Sequence, residues 1–525
     1  MAKEPHYSLF AIEYLATIVV LRLTFPNLLL LSEVLMPGIK SLLWVSGVLL
    51  SAFSLTVKAE SLHPDPAWQQ GQLSNGFGWQ VLTTPQRPSD RVELRLVIKT
   101  GSLNEGPNQK GFSHLIARLA MVHNLALTPE QQRTLWHADM SKSGALPPVI
   151  TSYDYTQYNL SLPVNRPDLI KSALEWLAAT AGTMQVTPTT VATALAATDP
   201  TATWPDNTQD QLWRYRLQNS ALLTHDPSEQ PSAITNSQPL AQYYHQWYTP
   251  DAMTLYVVGN LENRAIVEQI TKTFSALKGK RKLPTPVPVL SPLSTQPTSM
   301  VDNSLHTPRL VMNWDTMWLP IQDSQSLEHY WLSDLTREAL YWHLQSVTES
   351  KQTALEPVDL QCQVLFSRAQ CGLKIDAEGE ALTKQLAVVG NEIVRLRDQG
   401  LTQSEFDQLL TKQTTELSGL FATYARTPTD MLMMQRLRSQ QNGMVDIAPE
   451  QYQKLRQEFL ANLTLDAVNH ELRQQLSQPA SFVLLHPENT SGPSVEQLQA
   501  QYNDLVTEGE EGASETADAA SSEGH

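Results

Sequence analysis

The sequence predicts an α+β fold that is used twice along the chain. Strand-like and helix-like segments are interleaved, with hairpins among them. The same order of elements occurs in both halves, which indicates the duplication of a whole domain. A segment rich in proline and serine, residues 280–300, separates the halves and is predicted to be an extended linker. The length of 525 residues also exceeds what one hydrophobic core usually holds.

The first half, residues 60–279, opens with a predicted strand, RVELRLVIKT, and a helix that begins near Ser113. YTQYNLSLP alternates as a second strand, and PDLIKSALEWLAATAG has the periodicity of an amphipathic helix. YTPDAMTLYVVGN predicts a helix cap followed by a strand, and a helix over residues 264–277 ends the half.

The second half, residues 301–490, repeats this order. RLVMNWDT predicts a strand and SLEHYWLSDLTREALYWHLQ a long helix, followed by a hairpin and by helices over residues 380–397 and 404–425. LTLDAVNHELRQQLSQPASFVLLHP predicts a final helix and strand, as in the first half. Residues 491–525 are treated as an acidic tail and are predicted to be disordered.

The N-terminal region predicts export. From Met36 the chain has a basic start, a short apolar run over residues 42–55 and small residues before a predicted cleavage between Ala59 and Glu60, which is typical of a signal peptide at residues 36–59. Residues 1–35 are interpreted as an extension upstream of the true start. The alternative is a retained anchor, in which the N-terminal apolar segments tether the protein to the inner membrane.

The two cysteines, Cys362 and Cys371, lie in LQCQVLFSRAQCGLKI, whose alternation predicts a hairpin. If the turn centres on Phe366 and Ser367, the cysteines lie opposite each other, close enough to form a disulfide. An oxidising compartment favours the bond. A shift of one residue in register would separate the two thiols, so both alternatives remain open.

Charge and motifs exclude several functions. A net charge of −16 argues against nucleic acid as a partner, because phosphates require clustered lysine and arginine. No two of the 13 histidines are three or four residues apart, which removes the H-E-x-x-H and H-x-x-E-H zinc motifs. The G-x-S-x-G, phosphate-loop and G-x-G-x-x-G patterns are missing from the sequence as well.

Two stretches nevertheless resemble the pitrilysin/insulinase metallopeptidases. VELRLVIKTGSLNEGPNQKGFSHLIARLA is similar to the strand, the G-S-x-x-E turn and the G-x-x-H-x-x-E-H helix of that family. YYHQWYTPDAMTLYVVGN is similar to a later family segment, and the resemblance extends over about residues 68–487. It implies two homologous insulinase-like domains, each a mostly antiparallel sheet packed with helices, in a protein of the periplasm.

The resemblance also implies a degenerate zinc site. His114 matches the first ligand of the family, Ala117 replaces the glutamate that acts as general base, and Arg118 replaces the second histidine ligand. A methyl group takes no proton, and a guanidinium has no lone pair to give. The distal glutamate ligand would fall near Ala194, but residues 176–228 contain no glutamate.

Zinc, the cofactor of the family, is therefore expected not to bind. A catalytic zinc ion needs three protein ligands and an open position for water. His114 alone falls short of this, and a guanidinium about 4 Å from the ion would repel it by several kcal/mol. The helper subunits of split family members supply an arginine and a tyrosine seven residues apart, and residues 290–525 lack that pair.

These residues predict a non-catalytic module that binds extended peptides or a periplasmic protein partner. Assembly as a homodimer or hetero-oligomer is an expectation that follows from the family resemblance. The alternatives are a zinc-dependent endopeptidase with other ligands and a subunit of a hetero-oligomeric family peptidase.

Overall fold

The computed structural model describes residues 60–84, 91–122, 126–140, 145–206, 210–231, 234, 236–348 and 358–507. The predicted upstream extension, the signal peptide, Ala59 at the predicted cleavage point and residues 508–525 of the predicted tail lie outside the described residues.

The first domain is built on a sheet whose described strands have the order β1-β2-β7-β3-β5-β4-β6. Neighbouring strands are antiparallel except for the parallel pairs β2–β7 and β4–β6. The strands are β1 (Trp68–Gln72), β2 (Gly78–Thr83), β3 (Arg91–Ile98), β4 (Val149–Thr151), β5 (Thr156–Pro163), β6 (Ala202–Thr203) and β7 (Met253–Gly259).

Helices cover one face of this sheet because the even-numbered side chains of β3, from Val92 to Ile98, are apolar and point into the main core. The helix ends are capped locally: the Thr187 hydroxyl accepts a hydrogen bond from the backbone N–H of Thr190. The helices are α1 (Phe112–Val122), α2 (Pro129–Met140), α3 (Pro167–Gly182), α4 (Pro188–Ala196), α5 (Gln211–Arg216), α6 (Gln238–Trp247) and α7 (Asn263–Phe274).

The second domain has a smaller sheet, in which the described strands have the order β10-β11-β9-β12-β8. Only β12–β8 is a parallel pair among these described strands. The strands are β8 (Thr298–Val301), β9 (Arg309–Met317), β10 (Asp359–Leu365), β11 (Arg368–Asp376) and β12 (Ser481–His486). The helices are α8 (Ser324–Thr348), α9 (Gly379–Gln399), α10 (Gln403–Ser418), α11 (Leu420–Arg426), α12 (Thr429–Gln441), α13 (Pro449–Asn462), α14 (Leu465–Leu476) and α15 (495–507).

The structure confirms the predicted α+β fold with two domains, and it corrects two boundaries. Strand β8 begins at Thr298 and pairs with β12, so the last residues of the predicted linker belong to the second sheet. Residues 495–507 were predicted to be disordered but form a helix, because Val495, Leu498 and Tyr502 make an apolar stripe that is buried in the second core.

The two domains pack against each other through the second face of the first sheet. Leu432 and Met433 of α12 contact Trp68 and Tyr256 on that face. Phe366 at the tip of the β10–β11 hairpin also contacts the first domain, since the centre of its ring lies 5.2 Å from the centre of the Tyr153 ring. No helix within the described ranges is long and apolar enough to span a bilayer.

Candidate functional site

Helix α1 carries the residues that correspond to the zinc helix of the family, and its start is fixed by Glu105. The Glu105 carboxyl group accepts hydrogen bonds from the backbone N–H groups of Gly111 (2.8 Å) and Ser113 (2.7 Å). Gly111 has a φ of +79°, and a Cβ there would come within 2.6 Å of the Glu229 carbonyl oxygen. The loop around Glu229 therefore lies directly against the first turn of α1.

His114 is buried at the centre of a polar cluster. Its Nε2 atom lies 2.7 Å from Asp199 Oδ2, 2.9 Å from Gln230 Nε2 and 3.2 Å from Thr201 Oγ1. Thr201 in turn donates to Asp199 Oδ1 through its N–H (2.9 Å) and its hydroxyl (2.7 Å). Burial raises the pKa of Asp199, but the hydrogen bonds from His114 and Thr201 outweigh this and hold the pKa well below its usual range.

Arg118, one turn further along α1, is also buried and joins three pieces of chain. Its Nη1 donates to Gln230 Oε1 at 3.0 Å, and its Nη2 donates to the carbonyl oxygens of Leu195 (3.2 Å) and Ala197. Those carbonyls lie at the C-terminal end of α4, where a cation is favoured by the helix dipole and by the unpaired carbonyls. Arg118 therefore cross-links α1, the end of α4 and the loop that contains Gln230.

These residues do not fit a catalytic zinc ion. His114 and Asp199 are two ligand-type side chains, whereas a catalytic site needs three, and Arg118 places a cation beside them. Ala117 and Ala194 are fully buried in the main core and offer neither a base nor a ligand. Within the described residues, no group of three or more histidine, cysteine, aspartate or glutamate side chains could hold a metal ion.

Sequence reasoning placed His114, Ala117 and Arg118 on one helix, and the structure brings the first and last of them into one cluster. It missed Asp199, Thr201 and Gln230. Asp199 follows Ala194 by five residues, so a search for any carboxylate near the expected distal ligand would have found it. Gln230 lies in a loop without periodicity, and no sequence signal places it beside α1.

The cysteines lie away from this cluster, on the second sheet. Cys362 of β10 is paired with Cys371 of β11, and the two form a disulfide. The turn between the strands has Phe366 and Ser367 at positive φ, 43° and 64°, as expected for a tight hairpin. Of the two registers that the sequence allowed, the structure therefore has the one in which the two cysteines lie directly opposite each other.

The cap of α1 should make the stability depend on pH. Burial raises the pKa of Glu105 from 4.5 to about 7, against the hydrogen bonds from Ser113 and Gly111. Because this pKa is higher in the folded than in the unfolded chain, Glu105 adds its full contribution to the unfolding free energy below pH 4.5. This contribution, up to about 3 kcal/mol, is lost as the pH rises through 7. We therefore expect Glu105→Gln to flatten the decline of the unfolding free energy between these two pH values, as measured by urea denaturation.

The control for this experiment is Glu130→Gln, at an exposed position in the first turn of α2. It should leave the slope of the unfolding free energy against pH unchanged. An unchanged slope in Glu105→Gln as well would mean that Glu105 is ionised in the folded protein across this range.

Comparison with known proteins gives a consistent family assignment. Residues 80–224 match the family model "Insulinase (Peptidase family M16)", and residues 236–413 match "Peptidase M16 inactive domain". Protein YhjJ of Salmonella typhimurium is 49% identical over 471 residues, which are 90% of this chain and 95% of that protein. The family resemblance inferred from the sequence is confirmed.

Two solved structures are similar to the whole described fold. The first is a predicted insulinase family protease from Yersinia pestis, which is 52% identical to this chain. The superposition covers 88% of this chain and 100% of that chain, with a TM-score of 0.83. The second is the first half of the periplasmic protease PqqL from Escherichia coli, which is 19% identical to this chain. The superposition covers 85% of this chain and 98% of that chain, with a TM-score of 0.72. This chain corresponds to 51% of the complete PqqL structure, so it spans about half of that protein.

Proposed function

The chain belongs to the M16 insulinase family of peptidases, and from this premise we propose that it is a non-catalytic, periplasmic member that binds extended peptides or a protein partner without cutting them.

One observation carries the proposal: the cluster of His114, Asp199, Gln230 and Arg118 stands where the resemblance puts the zinc site. His114 Nε2, the atom next to the Asp199 carboxylate, faces a hydrogen-bond partner rather than an open position. The Nη1 and Nη2 atoms of Arg118 donate to carbonyl and amide oxygens, which supports a structural role for this side chain. A water molecule at this place would have neither a metal ion nor a glutamate to activate it.

Export to the periplasm is supported by two independent features. Residues 36–59 have the pattern of a signal peptide. The disulfide between Cys362 and Cys371 would persist in an oxidising compartment and would be reduced in the cytosol. A similar protein, PqqL, is described as a periplasmic protease.

A half-buried sheet edge beside the cluster suits the binding of an extended peptide. Strand β6 is paired only with β4 among the described strands, and it directly follows Thr201 of the cluster. A peptide that added to this edge would be held by backbone hydrogen bonds and would run past His114. Because the chain spans half of PqqL, a second copy or another half-length chain could supply the opposite wall.

The test is zinc content and peptide cleavage of the chain from Glu60 onward, with a zinc peptidase as positive control. After incubation with zinc and gel filtration, we expect far less than one ion per chain and no cleavage of fluorogenic peptides, while fluorescence anisotropy detects binding of uncleaved peptides. His114→Ala and the exposed His245→Ala should behave alike in the zinc and cleavage assays. One zinc ion per chain would contradict the expectation that zinc does not bind, and cleavage abolished by a chelator and by His114→Ala alone would identify a zinc-dependent endopeptidase instead.

A further inference from the structure

The connection between the two domains concentrates positive charge in an acidic protein. Residues 269–301 contain four lysines and one arginine and no aspartate or glutamate, whereas the whole chain has a net charge of −16. The part of this segment from residue 278 to residue 290, KGKRKLPTPVPVL, is called the strap below.

The strap is fixed to the protein at three points. The Arg281 guanidinium donates hydrogen bonds to the carbonyl oxygens of Lys99 and Trp247 and lies 5.2 Å from the centre of the Trp247 ring. The Thr285 hydroxyl donates to the same Lys99 carbonyl oxygen. Leu290 is 2% exposed, and its N–H donates to the Phe366 carbonyl oxygen at 3.2 Å. The strap therefore has a defined position on the surface.

Between these anchors the strap exposes apolar side chains. Leu283, Val287 and Val289 are 59%, 74% and 52% exposed, and they are three of the nine large apolar residues that are exposed in the described part of the chain. Prolines at positions 284, 286 and 288 keep the backbone extended and prevent these side chains from folding back into a helix. An apolar patch held open in this way is typical of a surface that meets another apolar phase.

The lysines beside the patch are available for binding. Lys278, Lys280 and Lys282 are exposed, as is Lys272 in the last turn of α7. Within the described residues, none of these four ammonium groups has an acidic partner. Arg281 is occupied by the anchor, so four free cations flank three exposed apolar side chains.

We propose that the strap docks on an anionic phospholipid surface. The ammonium groups would meet lipid phosphates, and Leu283, Val287 and Val289 would enter the boundary between headgroups and acyl chains. A lipid surface offers both anionic and apolar contacts, whereas a soluble polyanion leaves the apolar side chains in water. The rest of the acidic protein is repelled by such a surface, so the charge distribution also orients the molecule with the strap towards the lipid.

The test is co-sedimentation of the chain from Glu60 onward with vesicles of phosphatidylcholine, with and without phosphatidylglycerol. This chain retains the two cores of the described part of the protein, whose residues lie between Phe77 and Tyr502. Binding is expected only to vesicles with phosphatidylglycerol and should fall steeply between about 0.05 and about 0.5 M NaCl. Removing lysines from the strap region should weaken binding about 5-fold for each residue.

Three variants make the test specific. The charge variant is Lys272→Gln with Lys278→Gln, Lys280→Gln and Lys282→Gln. The apolar variant is Leu283→Ser with Val287→Ser and Val289→Ser. The matched control removes four exposed lysines elsewhere, through Lys110→Gln, Lys171→Gln, Lys384→Gln and Lys454→Gln.

Both strap variants should lose binding while the control keeps it. The proposal is overturned if the wild-type chain ignores vesicles with phosphatidylglycerol at low salt, or if the control loses as much binding as the charge variant. It is also overturned if polyphosphate binds as tightly as vesicles and the apolar variant is unaffected, because the strap is then a polyanion site. Self-association in the absence of lipid that both strap variants abolish would identify a second copy as the occupant.

Discussion

Arg118→Met is expected to lower the free energy of unfolding by about 3 kcal/mol or more. Methionine keeps most of the volume of the side chain but removes every hydrogen bond that Arg118 donates. The half-buried carbonyl oxygens of Leu195 and Ala197 and the amide oxygen of the exposed Gln230 would then lose a charged donor. A hydrogen bond from a charged donor contributes about 1.5–3 kcal/mol, and water replaces part of the loss at these half-buried and exposed oxygens.

The loss follows from the position of Arg118 between three segments, since its guanidinium binds the end of α4 and the Gln230 loop at the same time. Its cation also compensates the partial negative charge at the C-terminal end of α4, which methionine cannot do. Arg118→Lys keeps the charge but not the planar fork of donors, so it should recover only part of the stability.

Urea denaturation at neutral pH measures the effect, and Arg166→Met is the matched control. The Arg166 side chain is 46% exposed and pairs with Asp168 at the surface, so its replacement should leave the unfolding free energy nearly unchanged. Equal unfolding free energies of Arg118→Met and the wild-type chain would contradict a structural role for the guanidinium. Arg118 would then have to be tested for binding to a ligand.

The sequence was sufficient for the elements whose side chains alternate or repeat along one segment. The apolar positions of β3 and the helix after Gly111 are local patterns, and each reports directly which face of an element is buried. The same reasoning failed for helix α15, because the acidic composition of the last residues outweighed a short apolar stripe that begins at Val495.

The site was less predictable than the fold for a physical reason. The identity of His114, Ala117 and Arg118 predicts the loss of the zinc chemistry of the family, because that information lies in one helix. The polar cluster around His114 depends on Asp199 and Gln230, which come from two loops 31 residues apart in the chain. Loops carry no periodicity, and their positions are decided by tertiary contacts such as the close approach at Gly111.

No pattern in the sequence predicted the contact between the domains. This contact contains a buried ion network. Asp315 of β9 lies 3.3 Å from Nη2 of Arg216 in the first domain and 2.9 Å from Nε of Arg368 on β11. Its Oδ2 also accepts the N–H of Leu293 at 2.8 Å. Asp315 is 4% exposed and the two arginines are 6% and 10% exposed, so one carboxylate compensates two buried guanidinium groups.

Asp315→Asn is therefore expected to destabilise the protein by about 3–5 kcal/mol, because it leaves two cations buried without a counter-charge. The interface should open first, which limited proteolysis between residues 216 and 315 would detect as faster cleavage. Asp376→Asn is the control on the same pair of strands, since Asp376 is 43% exposed beside Arg309 and should contribute about 1 kcal/mol or less.

A triple variant distinguishes the missing charge from the lost packing. Asp315→Leu with Arg216→Met and Arg368→Met removes all three charged groups and their desolvation cost, so most of the stability should return. If Asp315→Asn and the triple variant were equally unstable, the network would act through its hydrogen bonds to Leu293 and Gln370 rather than through charge. If Asp315→Asn were as stable as the wild-type chain, the apolar contacts of α12 and of Phe366 would be sufficient to hold the two domains together.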